Sequence, residues 1–336
     1  MKYIGPFLRI NTLSEDNIEK QLLFFSRESF KHIVLNSRCG ITTSIHQIKL
    51  KNIPNFDINI FKKISPLLCI YKKANPKLSL DKDSCTWDGD TFKKEIPVSA
   101  NAYMALTMME ASDYYNKFKD INSSLFALGR LYSQLAVKQL DFFSSNLRNT
   151  EGVFVDKKDS SEDVSKEIKL EDKERKFKFS DQALLMAAYY KASMLPDNND
   201  AEAYKSFSLD ILKMFLDYKT ELYDLSLEEI NKVCFAINIF YDLNKNGNAK
   251  YLLMDLCDLL IDKYHEESSG DSVKIENMCM LFINMNCAYK NLSVIKFKDE
   301  GDKTFEALEA IYDPERGIFM QDKDKKEIDY SSLEIV

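Results

Sequence analysis

From Pro97 onward, apolar side chains recur every three or four residues, the spacing that lines one face of an α-helix. The first stripe passes through Ala102, Ala105, Leu106 and Met109 to about Phe118, with Ser99 the expected N-cap behind Pro97. A second follows Asn122 and carries Leu125, Leu128, Tyr132, Leu135 and Ala136. Ser180 is the expected cap of a third, through Ala183, Leu184, Ala187 and Ala188, which ends before Leu195-Pro196-Asp197. Its partner carries Phe207, Ile211, Met214, Phe215 and Tyr218. Ser226-Leu227-Glu228-Glu229 has the S-x-x-E form, in which hydroxyl and carboxylate satisfy each other's exposed amides. It opens the stripe Ile230, Val233, Ile237, Phe240 and Tyr241, and Asn246-Gly247-Asn248 then turns the chain into Leu252, Leu256, Leu259 and Leu260. A polar loop is expected from His265 to Ser272, followed by stripes at Ile275, Met278, Cys279, Phe282 and Tyr289 and at Phe305, Leu308 and Ile311. Such stripes with short polar connections predict consecutive antiparallel helical hairpins.

The first ninety residues read differently. Ser14 is the expected cap of a helix over about 15–36, with Ile18, Leu22, Phe25 and Ile33 on one side. After Cys39-Gly40, residues 41–45 and 67–71 lean toward strands, and Pro54, Pro66 and Pro76 break the stretch into short elements. The expected organisation is a small mixed segment, 1–82, packed on a helical-hairpin domain, 83–336. Within that domain, residues 156–176 are almost wholly Lys, Asp, Glu and Ser, with Val164, Ile168 and Leu170 apolar. So little apolar area predicts a mobile surface loop.

Composition narrows the class. The 336 residues include only 9 Gly and 7 Pro, too few for the many turns of an all-β fold. A net charge of −7, with lysines interleaved among acids, leaves no basic stripe and argues against a nucleic-acid partner. No apolar run approaches the roughly 18 residues of a membrane span. The seven cysteines lack C-x-x-C spacing and mostly sit in apolar stretches, where a thiol acts as a small hydrophobe. With no signal-type N-terminus, the expected compartment is the cytoplasm.

Two stretches between helices look alike. Gly152-Val153-Phe154 precedes a polar segment leading to Phe179-Ser180, and Gly317-Ile318-Phe319 precedes a charged turn leading to Tyr330-Ser331. Thr86-Trp87-Asp88-Gly89-Asp90 before Val98-Ser99 resembles a degenerate third copy. Helical hairpins joined by such G-x-F loops resemble the (α/α) toroid, or six-hairpin glycosidase-like, superfamily, which includes N-acylglucosamine epimerase-like proteins. The resemblance covers roughly residues 83–336 and implies an all-α fold: an (α/α) toroid or incomplete toroid of antiparallel hairpins with a small mixed N-terminal segment. It also implies a carbohydrate-like ligand at the rim loops and, if the protein is an enzyme, glycoside hydrolase-like or sugar epimerase-like activity. The second G-x-F copy is followed by barely one helical turn before Val336, so the toroid is expected to lack a helix at this end. A partner, a second copy of the chain or the N-terminal segment is then expected to cover the exposed apolar faces.

Glycoside hydrolysis normally uses two carboxyl groups, one as acid and one as base or nucleophile. The acids at rim positions are Asp88, Asp90, Asp156 and Asp181; Asp88 and Asp181 are the catalytic candidates. Asp181 equally fits an acid in a first helical turn, stabilised there by the helix dipole. Trp87, the single tryptophan, sits among polar residues and is a candidate ligand contact, or else a core anchor. Asp90, Asp156 and Gln182 complete the ligand-binding candidates. His32, His46 and His265 lack metal-ligand spacing, and no P-loop, G-x-G-x-x-G or G-x-S-x-G occurs, so no metal or cofactor is implied. The competing reading is a non-catalytic helical scaffold or partner-binding protein.

The odd cysteine count and the expected compartment predict seven free thiols. Alkylation of the unfolded chain without reductant should modify all seven by mass spectrometry; a disulfide in the freshly isolated protein would overturn the expected compartment.

Overall fold

A computed structural model describes residues 14–35, 39–44, 66–72, 78–81, 84–88, 91–161, 167–174, 176–196, 198–268, 274–315 and 318–319. The chain divides into two compact units, Met1–Lys176 and Phe177–Val336. The described residues are predominantly helical with small β segments, the hairpin architecture of an (α/α) toroid or incomplete toroid with a minor mixed N-terminal region. No helix among them is long and apolar enough to cross a membrane.

In the first unit, α1 (Glu15–Phe30) starts as expected, with Ser14 Oγ accepting from the Asn17 N–H, and then widens into a π turn, Lys31–Leu35. Its apolar stripe is only loosely packed: Leu22 and Phe25 are each more than half exposed. Strand β1 (Gly40–Thr42) pairs antiparallel with β2 (Leu67–Ile70), and only glycine fits at the first position. A Cβ on Gly40 would stand 2.0 Å from the Cys69 carbonyl oxygen. β3 (Leu78–Asp81) and β4 (Ser84–Trp87) form a second antiparallel pair.

Helices α2 (Val98–Asn116) and α3 (Ser123–Asn146) form the hairpin of this unit, the second opened by Asn122, whose side chain accepts from the Ser124 and Leu125 N–H groups. Gly129 lets them approach closely: a Cβ there would lie 2.6 Å from that of Tyr115. Met108, Met109, Leu131 and Phe143 are fully buried in this hairpin.

Two local expectations fail here for one reason. Ser99 does not cap α2; the helix begins at Val98, and the Val98 N–H donates to Asp156 Oδ1 at 2.8 Å. The charged stretch after Asp156 is not a structureless loop either. β5 (Glu95–Ile96), β6 (Lys157–Asp159) and β7 (Leu170–Asp172) form a three-stranded antiparallel sheet. Lys157 is buried and donates to the Arg148 carbonyl and the Asp172 carboxylate, while Asp159 accepts from the Tyr71 hydroxyl. Backbone ladders and matched charges order this segment without apolar burial.

The first G-x-F loop makes a tight antiparallel return. Gly152 has φ +87°, and Phe154 bridges back to Arg148 just past the end of α3. The second does the same beyond α9 (Ile295–Ala310): β8 (Tyr312–Asp313) pairs with β9 (Ile318–Phe319), Phe319 opposite Tyr312. Gly317 and the Tyr330–Val336 tail lie outside the described residues.

Among the described residues the second unit holds three hairpins: α4 (Phe179–Ser193) with α5 (Ala201–Asp217), α6 (Leu227–Asn244) with α7 (Gly247–Ser268), and α8 (Ile275–Leu292) with α9. Within α4–α5 the chains run antiparallel: Ser208 Oγ donates to the Met186 carbonyl, and the Tyr189 ring meets Tyr204 edge-on. Helix α7 continues through the expected loop start, and His265 in its last turn lies 2.8 Å from the buried Glu300 carboxylate of α9.

The first helices of the three hairpins run parallel. Ser180 meets Glu229 and Tyr190 meets Phe240 between α4 and α6, so residue numbers rise together. Between α6 and α8 the same direction is set by asparagines seven residues apart. Asn231 Nδ2 donates to the Asn277 carbonyl, and Asn284 Nδ2 donates back to the Asn231 carbonyl at 2.9 Å and to its Oδ1 at 3.1 Å. One heptad on, Asn238 donates to the Asn284 carbonyl, and Asn291 donates back to Asn238. Lys245 continues the row, donating to Asn291 Oδ1. Asn231, Asn238 and Asn284 are buried to within 2% of fully.

Removing one member of this ladder leaves buried groups unpaired. Asn231→Ala and Asn284→Ala should each cost about 1–3 kcal/mol, and the double variant less than their sum. Urea unfolding of the four proteins checks this; strictly additive losses would mean that the two side chains act independently.

Candidate functional site

Because α4, α6 and α8 are parallel, their N-termini face one end of the second unit, and each leaves backbone N–H groups without helical partners. α6 is capped by its own Ser226, whose Oγ accepts from the Glu229 N–H at 3.3 Å. The reciprocal half of the expected box is not made. The Glu229 carboxylate instead reaches α4, accepting from the Ser180 N–H at 2.9 Å and the Ser180 hydroxyl at 3.0 Å. Ser180 is therefore not the cap; Lys178 occupies that position and offers no side-chain acceptor, so a carboxylate from the neighbouring helix takes its place.

Ser180, Asp181 and Gln182 are all 2% exposed, an unusual polar run for the interior. Gln182 Nε2 donates to the Lys178 carbonyl at 3.4 Å. Each of α4, α6 and α8 carries a buried carboxamide near its start, at Gln182, Asn231 and Asn277, and in the first unit α2 carries Asn101. Asn101 ties β2 to its helix, accepting from the Ile70 N–H and donating to the Ile70 and Pro97 carbonyls. The same end of the second unit is charged. Glu228 is held below the usual carboxylate range, first by its hydrogen bond from Lys232 at 2.6 Å and then by that lysine's charge, with Lys274 and Lys178 adding to it against burial.

The other candidates lie in the first unit. Asp156 is half-buried and joined to the first turn of α2. Asp88 follows β4; its carbonyl accepts from Thr91, and its charge adds to the burial that pushes the Cys39 thiol up to about 11. Trp87 ends β4, but its side chain, like Asp90, lies outside the described residues. Asp159, not singled out from the sequence, is buried beside Tyr71; burial raises its carboxyl, yet hydrogen bonds from Ser161 and Tyr71 outweigh that and hold it below the usual range.

The structure thus joins Ser180 to Glu229, Gln182 to the Lys178 carbonyl and Asp156 to α2, and buries Asp181 beside Ser180 in the first turn of α4. Glu229 and the asparagine ladder were missed. The capping motif concealed Glu229 by suggesting a local partner, whereas the heptad spacing of Asn231 and Asn238, and of Asn277, Asn284 and Asn291, is readable in the sequence. His32 is exposed, His265 is on Glu300, and His46 lies outside the described residues. No group of three or more His, Cys, Asp or Glu suited to a metal occurs among the described residues. A shallow depression of about 170 Å³ between the 3₁₀ turn Lys219–Asp224 and α7 is mostly apolar, and its ionic groups, Lys219 and Asp255, pair with each other.

No family model and no curated protein matches this sequence. Among solved structures, the chain is similar to a D-mannose isomerase, with a TM-score of 0.55 and 10% identity over 93% of this chain and 75% of that one. A sugar epimerase from a ruminal bacterium aligns with a TM-score of 0.45 and 13% identity over 72% of this chain and 68% of that one, too distant to add weight. The first likeness shows the fold alone, an all-α toroid-like fold.

The lowered Asp159 carboxyl has a consequence for stability. Its contribution is present above the unfolded value of about 3.9 and is lost as pH falls through the lower folded value. The thermal midpoint of the wild-type protein should therefore fall more steeply below about pH 4 than that of Asp159→Asn, as followed by circular dichroism; parallel profiles would show that the carboxylate confers nothing.

Proposed function

We propose that this protein binds a carbohydrate-like small molecule and that its chemistry, if it turns the ligand over, is that of a sugar isomerase or epimerase, or of a glycoside hydrolase. The observation that carries this reading is the buried polar run Ser180, Asp181 and Gln182 at the start of α4, with Glu229 of α6 bonded to Ser180. It stands in a fold shared with a D-mannose isomerase over most of the chain. An acid, an amide and a hydroxyl together suit the hydroxyls of a sugar. Moving a proton between adjacent sugar carbons requires a positioned acid–base group, and hydrolysis requires two carboxyl groups about 5–10 Å apart. Asp181 is the proposed proton-transfer group and Glu229 its neighbour; Gln182 is a proposed hydroxyl contact. Trp87, with Asp88, Asp90 and Asp156, is a separate candidate for ligand contact within the first unit.

One observation favours the second reading, a non-catalytic scaffold. Glu229 accepts from the start of α4, Asp156 from that of α2, and the asparagines bond to one another. Groups engaged in this way are also what a purely structural toroid needs.

A screen of monosaccharides, their phosphates and simple glycosides separates the two. A sugar that binds the native state should raise the thermal midpoint, and NMR of the same mixtures should show interconversion or hydrolysis. Asp181→Asn, with native circular dichroism, should lower any turnover by about 10²–10⁴-fold. A folded protein that neither shifts with nor converts any of these sugars would establish the scaffold.

A further inference from the structure

We propose that Cys234 and Cys257 form an oxidation-responsive pair that staples α6 to α7. Both side chains are fully buried, both thiols are free, and their sulfurs face each other 3.7 Å apart. A disulfide bond is about 2.05 Å long, so closure requires the two sulfurs to approach by less than about 2 Å in all. Small rotations about the two Cα–Cβ bonds, shared between facing helices of one hairpin, supply a movement of that size.

The surroundings keep the pair reduced until an oxidant arrives. Burial is the first cause raising the Cys257 thiol, with Cys234, Asp258 and Cys287 adding to it, so little thiolate is present at neutral pH. Cys287 on α8 is the half-buried thiol of this neighbourhood and its most accessible sulfur. The oxidant proposed is a peroxide, admitted by local opening of the hairpin. One thiolate attacks a peroxide oxygen, the O–O bond breaks, and a sulfenic acid and one water form. The second thiol gives up its proton and attacks the sulfenic sulfur; the S–O bond breaks and leaves as a second water. In sum, two thiols lose two electrons and two protons, and hydrogen peroxide is reduced to two waters. The bond closes a loop across residues 23 apart, which restricts the unfolded chain and stabilises the hairpin.

The test treats the full-length protein with hydrogen peroxide, blocks the remaining thiols, and maps the peptides without reductant. The expected product is a Cys234–Cys257 linked peptide, reversed by dithiothreitol, with a thermal midpoint higher by roughly 5 °C. Cys234→Ala and Cys257→Ala should each abolish the linked peptide and the shift, whereas Cys287→Ala should leave both. The mapping of the wild-type chain stands even if a variant folds poorly. Recovery of Cys234 and Cys257 as free thiols while other cysteines are oxidised would overturn the proposal, as would a linked peptide joining either residue to Cys287.

Discussion

A carboxamide buried between two helices must find partners there, because water is excluded and an unpaired amide costs more than a hydrogen bond returns. α6 and α8 meet that constraint with each other. Their asparagines recur at seven-residue steps, which on a helix return to nearly the same azimuth, so each amide meets the backbone of the facing helix and the amide one heptad away. The pattern works in one register and one direction. A slip of one residue would bury every amide against aliphatic neighbours. Parallel alignment of α6 with α8, and with it the gathering of helix N-termini at one end of the second unit, rests on this ladder.

That alignment determines what the helix starts can do. Three N-termini at one end concentrate unsatisfied N–H groups and positive dipole ends, which favour negative charge. Glu229 answers one of them across a helix boundary, and in the first unit Asp156 does the same for α2 from a position 58 residues away. Carboxylates brought from a distance are thus the capping device in both units. Glu229 thereby stands on buried Ser180, next in sequence to buried Asp181 and Gln182. A structural device and a candidate ligand site use the same groups, which is why the proposed sugar chemistry and the scaffold reading rest on the same residues.

Much of the architecture was legible. The helical stripes from Pro97 to Ile311 correspond to α2 through α9, since a period near 3.6 survives any tertiary arrangement that buries one face. Ser14 and Ser226 act as the caps expected of them, because both bond to amides three residues away. The G-x-F loops were legible as a repeat, and both make the same short antiparallel return past a helix end. Ser99 and Ser180 were misread because their helices begin ahead of them, at Val98 and Phe179, where Asp156 and Glu229, remote in sequence, accept from the Val98 and Ser180 amides. The strands Lys157–Asp159 and Leu170–Asp172 were not legible because composition counts apolar area, whereas Lys157 and Asp159 are held by Arg148, Asp172 and Tyr71.

By itself the sequence determined the local: which segments are helices, where local caps begin them, that hairpins follow one another, and that the thiols fall on apolar faces. Those features depend on residues within a turn or two of each other. The tertiary structure decided everything that needs a partner far along the chain: which carboxylate caps which helix, that the leading helices of the hairpins run parallel, that Cys234 faces Cys257, and that Glu229 meets Ser180 at the start of α4. A side chain's hydrogen-bonding capacity is written in its residue type, but its partner is chosen by whichever donor or acceptor the packed helices leave within about 3 Å.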